Sequence, residues 1–364
     1  MKVLVLASYP IEAACTRYRL HQFIVPLAER GIELQMRPFI DSPLFASLYK
    51  RSELTRTVFG LARSTLHRLA DVFAARRADA LLVQREAMLF GPPLVEWLAT
   101  RVFGCPMVLD LDDATYVPYT SPTYGSVGSK LKWFGKTDHL IRWARLVTCG
   151  NSSIAEYVAS KGTPSVIIPT VVDTERFRPV DRSPGDAPLV LGWIGTHSTF
   201  SFLETIFPAL QELSSKHRFK LKVVGAGEQE IRIPGVEVET FGWSLEREID
   251  DFQSFDIGLY PMETGRYSSE WVTGKSGFKA IQYMSIGIPY VVTPIGACAE
   301  IGEVGITHYN ATTLEEWKES LSKLMADGDL RRRMGNAGRR HALVHYTVAA
   351  QADKLAQALR TAAG

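Results

Sequence analysis

Residues 270–296, EWVTGKSGFKAIQYMSIGIPYVVTPIG, constrain the fold more than any other stretch of this 364-residue chain. Phe278, Ile281, Met284 and Ile288 recur at helical spacing, and Gly287 stands where such a helix would close. Pro289 and the β-branched run Val291–Thr293 then read as a buried strand. Ser276 and Gly277 sit where the helix begins, with Lys275 and Lys279 one turn apart beside that end. A helix N-terminus gathers unpaired amides and partial positive charge, so this segment suits an anion such as a diphosphate. An amphipathic helix whose lysines face water fits the same letters. TGKS is not a P-loop: GxxxxGK[ST] needs glycine at Ser269, and Glu270 and Trp271 replace the glycine-rich turn.

The same alternation of strand and helix runs through the first half. Lys2–Ala7 reads as a strand, Tyr9–Thr16 as a loop, and Arg17–Arg30 as one helix with Leu20, Phe23, Ile24 and Leu27 on one face. Arg17 and Arg19 stand at its start, where cations are disfavoured unless they serve something else. They read either as clamps for an anion or acceptor or as surface arginines. Ala80–Val83, Met107–Leu111, Leu146–Cys149 and Ser165–Ile168 are further strands. Met107–Leu111 runs into Asp112 and Asp113, which with Asp110 make DLDD. Carboxylates at a strand's end lie at the crevice of an α/β sheet, and their like charges are expected to raise at least one pKa. Polar or acid–base work and helix capping both fit them. Asn151 follows Leu146–Cys149 in the turn Gly150–Ser153, at the same sheet edge, and is a further candidate for anion or acceptor contact.

Pro169 to Pro188 carries four prolines and many charges and reads as a domain boundary. Beyond it the alternation restarts. Strand Leu189–Ile194 leads to Gly195-Thr196-His197-Ser198-Thr199 and a helix over 202–216. Leu221–Val224 leads to Gly225-Ala226-Gly227, Val236–Phe241 to Gly242-Trp243, and Ile257–Tyr260 to Pro261. Small-residue turns after strands offer amides to an anion, although any tight connection needs them. From about Thr313 onward the chain reads as helical, with Arg331–Arg333 and Arg339–Arg340 in solvent.

At this length two domains are expected. The formal charge of +2 gives no reason for a nucleic-acid partner. No run of eighteen apolar residues spans a membrane, and MKVLVLASYP reads as a first strand rather than a signal peptide. Cys15, Cys105, Cys149 and Cys298 form no CxxC pair, which fits a reducing cytoplasm and argues against disulfide or metal use. Residues 45–77 interleave Lys50, Arg51, Arg56, Arg63, Arg68, Arg76 and Arg77 with apolar residues at helical spacing. That pattern fits either peripheral contact with anionic lipid at the inner membrane face or a solvated face over a core stripe.

IIPTVVDTERFRP at the boundary, VVGAGE, GKSGFKAIQYMSIGIPYVVTPIG and the tail RRRMGNAGRRHALVHYT together resemble glycosyltransferase family 4. The resemblance implies an α/β protein of the GT-B type: two doubly wound Rossmann-like domains facing across a cleft, with a helical C-terminal tail. It implies an acceptor domain at 1–172, a linker at 173–188, a nucleotide-sugar domain at 189–345, and a last helix at 346–364 packing back on the first domain. The implied reaction moves a sugar from a nucleotide diphosphate donor to a glycan or lipid-linked acceptor, with retention and without metal or cofactor. Donor contacts would come from Gly195, Thr196, His197, Gly225, Gly227, Trp243, Lys275, Ser276, Gly277, Phe278, Lys279 and Gln282. Asp112, Asp113 and Glu270 would stand at the chemistry.

The chain departs from the family pattern at informative places. The family's paired glutamates fall on Gly274 and Gln282. Gln282 can still accept from a ribose hydroxyl through its amide oxygen, and Glu270 is the nearest carboxylate to replace the other. Thr196 and Ser198 stand where the family has Arg and Lys, and Asp112 where it has a histidine. Lys275, Lys279, Arg17 and Arg19 are the candidates to restore the missing charge. A non-catalytic sugar-nucleotide-binding protein and a nucleotide-sugar epimerase of the same architecture are the alternatives.

Overall fold

The structure is a computed structural model. It describes every residue except 49, 120–124, 181–186, 228–229 and 266, and the side chain of Arg51 also lies outside the described set. Residues 181–186 of the expected linker and Glu228 of VVGAGE therefore lie outside the described residues. The chain divides into two compact units. Unit 1 holds Met1–Thr170, Gly274–Ser276 and Val348–Gly364, and unit 2 holds Val171–Thr273 and Gly277–Thr347.

Unit 1 is built on β1 (Lys2–Ala7), β2 (Glu33–Pro38), β3 (Ala80–Gln84), β4 (Met107–Leu111), β5 (Leu146–Cys149) and β6 (Ser165–Ile167). They form one parallel sheet in the order β2-β1-β3-β4-β5-β6. Every residue of β3 and β4 is buried, as in a sheet covered on both faces, and this is why those strands read as largely apolar runs interrupted only by Gln84 and Asp110. The order reverses between β1 and β3, so the crevice of this sheet opens where those two strands end.

Unit 2 repeats the plan with β7 (Leu189–Ile194), β8 (Phe219–Val224), β9 (Glu237–Phe241), β10 (Ile257–Tyr260), β11 (Tyr290–Val292) and β12 (His308–Asn310). Its parallel order is β12-β11-β10-β7-β8-β9, with the reversal between β7 and β10. β2 and β12 carry no apolar run and are absent from the sequence reading. Both are edge strands, and an edge strand need not be apolar on both faces.

Several expected elements differ. The helix expected over Arg17–Arg30 is Ala14–Arg19, a short turn His21–Phe23, and Ile24–Glu29. Pro26 has no N–H to donate to residue 22, so it fits only the first turn of a restarted helix. The helix expected over 202–216 is likewise two, Phe200–Glu204 and Phe207–Ser214, with Pro208 in the first turn of the second. The expected boundary stretch at 169–188 is partly core: Val171, Val172 and Phe177 are buried, and the Phe177 ring meets Phe252 edge-on at 5.9 Å. The tail is three helices, Leu314–Ala326, Gly328–His345 and Val348–Ala363. The first has a reciprocal cap between Thr313 and Glu316. The third belongs to unit 1, where Asp353 pairs with Arg30 at 2.7 Å.

Three arginines expected in solvent are structural instead. Arg331 donates to the carbonyls of Leu324 and Met325 at 2.6 and 3.2 Å. Arg339 donates to the carbonyls of Thr174, Phe177 and Ser285. Arg68 is 1% exposed and donates to the carbonyls of Ala7 and Arg37, both at 2.9 Å.

Candidate functional site

In unit 1 the carboxyl ends of β3 and β4 carry an ordered lattice of charge. Side chains alternate along a strand, so Asp110 inside β4 and Asp112 just beyond it are two residues apart on one side. Asp110 accepts from the Arg19 guanidinium and, at 2.6 Å, from the Thr148 hydroxyl. Arg19 also donates to the Ile168 carbonyl. Asp112 takes both oxygens to a second arginine: Arg85 Nε and Nη2 reach them at 2.6 and 2.7 Å. Asp113, half-buried, lies 3.5 Å from the same Nη2.

Arg85 follows β3 directly and holds φ at +61°, the left-handed region that a non-glycine residue occupies only at a cost. That conformation turns its side chain from the strand toward Asp112. Burial by itself would raise the Asp112 pKa, but the charge and fork of Arg85, with the Arg19 charge behind them, bring it below the usual carboxylate value.

These facts correct three expectations. Arg17 and Arg19 lie in the last turn of Ala14–Arg19, not at a helix start, and both are buried. Arg17 donates to the carbonyls of Ile11 and Glu12, so neither arginine stands out as an anion clamp. Where the like charges of DLDD are expected to raise at least one pKa, that of Asp112 is lowered, because burial is outweighed by the arginines. At 5% exposure with both oxygens engaged, Asp112 is not placed to take a proton, whereas Asp113 is the open carboxylate of DLDD.

Gly274–Ser276 groups with unit 1. Lys275 Nζ lies 3.6 Å from Asp113 Oδ2, and Asn151 Nδ2 donates to the Lys275 carbonyl at 3.0 Å. The Asn151 oxygen meanwhile caps the helix Ser152–Ser160 through the Ile154 amide. Gly277 holds φ at +65°, with no room for a side chain: a Cβ there would lie 2.3 Å from Ile301 Cδ1. It separates Lys275 from the helix Phe278–Ser285, so Lys275 and Lys279 do not share a helical face. That helix closes as expected, with the Gly287 amide donating to Met284 and the Ile288 amide to Tyr283.

In unit 2 the loop after β7, which borders the reversal between β7 and β10, lies against the loop after β8. A Cβ on Gly225 would fall 2.2 Å from the Gly195 carbonyl oxygen, and one on Gly227 would lie 3.5 Å from His197 Cβ. The same Gly225 position faces Trp243 at 3.6 Å. Gly195, His197, Gly225, Gly227 and Trp243 are thus one group. Lys279 brings its ammonium to the edge of that group, 5.9 Å from the Trp193 ring and 4.6 Å from the Tyr260 ring at the end of β10. Both faces are electron-rich and hold a cation. Thr196 and His197 are exposed, Ser276 and Phe278 half-buried, and Gln282 buried. Glu270 is exposed on the short helix Ser269–Thr273.

Two features escaped the sequence. Arg85 is a single cation after an apolar strand, and only its position at the crevice end of β3 could have marked it. Tyr267 and Trp271 stack at 4.8 Å, and Tyr267 Oη donates to the Ser198 carbonyl, fixing the loop after β7. Among the described residues no group of His, Cys, Asp and Glu could hold a metal ion.

Residues 189–327 match the family described as glycosyl transferases group 1. No curated protein matches the chain. Among solved structures, sucrose-phosphate synthase from Thermosynechococcus elongatus superposes with a TM-score of 0.68 at 14% identity, covering 99% of this chain and 98% of that one. The HepE protein of Anabaena in complex with UDP-glucose gives 0.68 at 16% identity, over 99% and 100%. The lipopolysaccharide outer core galactosyltransferase WaaB, in its apo form, gives 0.62 at 14%, over 99% of each chain. Likeness over whole chains at this identity is a likeness of fold, and the fold is GT-B.

Proposed function

We infer that this chain, a glycosyltransferase of GT-B fold whose group 1 domain spans residues 189–327, moves a sugar from a nucleotide diphosphate donor to an acceptor with retention. The observation that carries the donor reading is the loop Gly195–Thr199, which borders the reversal of the unit 2 sheet and packs against Gly225–Gly227, with Lys279 over Tyr260 at the end of β10 on its other side. Ligands of open α/β sheets bind at such reversals. The complex of the Anabaena protein with UDP-glucose supports the same class of donor.

Breaking the glycosidic bond builds positive charge on the sugar and negative charge on the leaving diphosphate. Loop amides and the ammonium groups of Lys275 and Lys279 would meet that charge, fixed before the reaction begins, in place of a metal ion. Gln282 would accept from the ribose, and Glu270 would stand in for the glutamate missing at Gly274. In unit 1, Asp113 would face the acceptor while Arg85 and Asp112 hold its backbone. The acceptor is read as a lipid-linked or surface-polysaccharide glycan, in keeping with the basic stretch at 45–77.

The test is a panel of nucleotide sugars, scoring release of nucleoside diphosphate and the anomeric configuration of the product by NMR. A glycoside with the donor's configuration supports the reading. An epimerised donor, or no turnover with tight binding, overturns it. Lys275→Ala is expected to weaken donor binding and turnover by about 2–4 kcal/mol.

A further inference from the structure

The helix Leu54–Ala75 in unit 1 buries a mixed polar and apolar stripe and exposes an apolar line. A surface helix ordinarily buries its apolar stripe and exposes its polar one. Here the residues toward the protein include Thr57, Ser64 and Arg68, buried alongside Val72 and Ala75 with Leu61 and Leu69 partly buried beside them. Thr57 Oγ1 reaches the Ser47 carbonyl at 3.5 Å, and Arg68 is bonded to two carbonyls and, at 3.2 Å, to Asp71. Gly60 lets the helix approach so closely that a Cβ there would lie 2.6 Å from the Leu44 side chain. On the opposite side Phe59, Leu66 and Phe73 are 78%, 69% and 66% exposed. Seven residues apart, they fall on nearly one line along the helix. The Phe73 ring meets Phe103 at 6.1 Å, and exposed Trp97 and Val102 carry the apolar surface onward from there.

We propose that this face lies on an anionic bilayer surface, holding unit 1 to the membrane by the apolar line while the flanking cations reach lipid phosphates. The charge argues for this occupant. Residues 50–77 hold seven Lys or Arg against two acidic residues, in a chain whose formal charge is only +2; Arg68 is buried, and Lys50, Arg56, Arg63, Arg76 and Arg77 are exposed. Lys50, Arg56 and Arg63 are more than half exposed, and their partners Glu53 and Asp41 are surface carboxylates. Such pairs contribute little and exchange readily for phosphate. An apolar line flanked by long cationic side chains is the form of a helix lying in the interface plane, with the stems lying along the apolar surface. No helix among the described residues is long and apolar enough to cross a membrane. The proposal deepens the lipid-linked acceptor reading. Vesicle binding needs neither donor nor acceptor, so each can fail without the other.

The experiment is co-sedimentation of the full chain with vesicles of phosphatidylcholine alone or mixed with phosphatidylglycerol, at low and at about 0.5 M salt. Binding is expected only with phosphatidylglycerol and weaker in high salt. The double variant Phe59→Ser/Leu66→Ser should lose roughly tenfold or more in binding. Arg56→Gln/Arg63→Gln should weaken binding and flatten its salt dependence. A Leu66→Trp reporter should be quenched by brominated lipid. Absence of binding at low salt overturns the proposal, as does unchanged binding of the serine variant. So does self-association in light scattering that the serine variant abolishes without any vesicle binding, because the face would then be covered by a second copy.

Discussion

Replacing Arg85 by alanine removes the fork that holds Asp112 and leaves a buried carboxylate without its paired cation. The Asp112 side chain is 8% exposed and that of Arg85 19%, so solvent screens the pair poorly. Breaking such a pair from one side costs about 3–5 kcal/mol. Arg85→Gly loses the same fork but relieves the left-handed backbone, and should be roughly 1 kcal/mol more stable than Arg85→Ala. The pH dependence has a definite sign. In the native chain the Asp112 pKa is depressed, so its contribution is full above the unfolded value of about 3.9 and is lost as pH falls through the folded one. Without Arg85, burial dominates and raises the pKa. The group then favours the fold below the unfolded value, and that benefit disappears as pH rises through the raised one. The deficit of Arg85→Ala should therefore grow from about pH 4.5 to pH 8. Urea unfolding at three pH values measures it, and Arg85→Ala/Asp112→Asn should flatten the profile. A deficit below about 1 kcal/mol, equal at all pH, would refute the reasoning.

Three further outcomes follow from the geometry. Gly225→Ala sets a Cβ against the Gly195 carbonyl at a φ of +84°, so it should lower thermal stability and abolish detectable donor binding in titration calorimetry. Arg339→Ala leaves three carbonyls without their donor and should cost about 2–4 kcal/mol in denaturant melts, although sequence alone places it in solvent. Tyr267→Phe removes the bond to the Ser198 carbonyl and should raise the donor KM several-fold with little change in melting temperature, about 1 kcal/mol in loop order.

What was legible in the sequence is what local pattern encodes. Strands β3, β4, β5, β7 and β10 are apolar runs bounded by turn residues, and the helix closing at Gly287 carries its own stop signal. Edge strands β2 and β12 were hidden because burial on both faces, the source of the apolar signal, is missing there. The glycines of the loops after β7 and β8 were legible because a close approach of two loops tolerates no side chain. The charged residues were not. Whether Arg19, Arg68 or Arg339 meets water or a carbonyl depends on partners 149, 61 and 162 residues away, which no local spacing records. The same holds for Asp112 and Arg85, whose pairing across two strands makes one aspartate of DLDD structural and leaves the next one open.

The central claim is that a nucleotide diphosphate sugar is the ligand of this chain. A thermal-shift panel of nucleotide diphosphate sugars, free nucleotides and free sugars tests it most directly. A true donor at a hundredfold excess over its dissociation constant adds about 2.7 kcal/mol. The account predicts that at least one nucleotide diphosphate sugar raises the melting temperature, that the free sugar does not, and that the shift shrinks in Lys279→Met. No shift with any nucleotide sugar, or an undiminished shift in that variant and in Gly225→Ala, would contradict it.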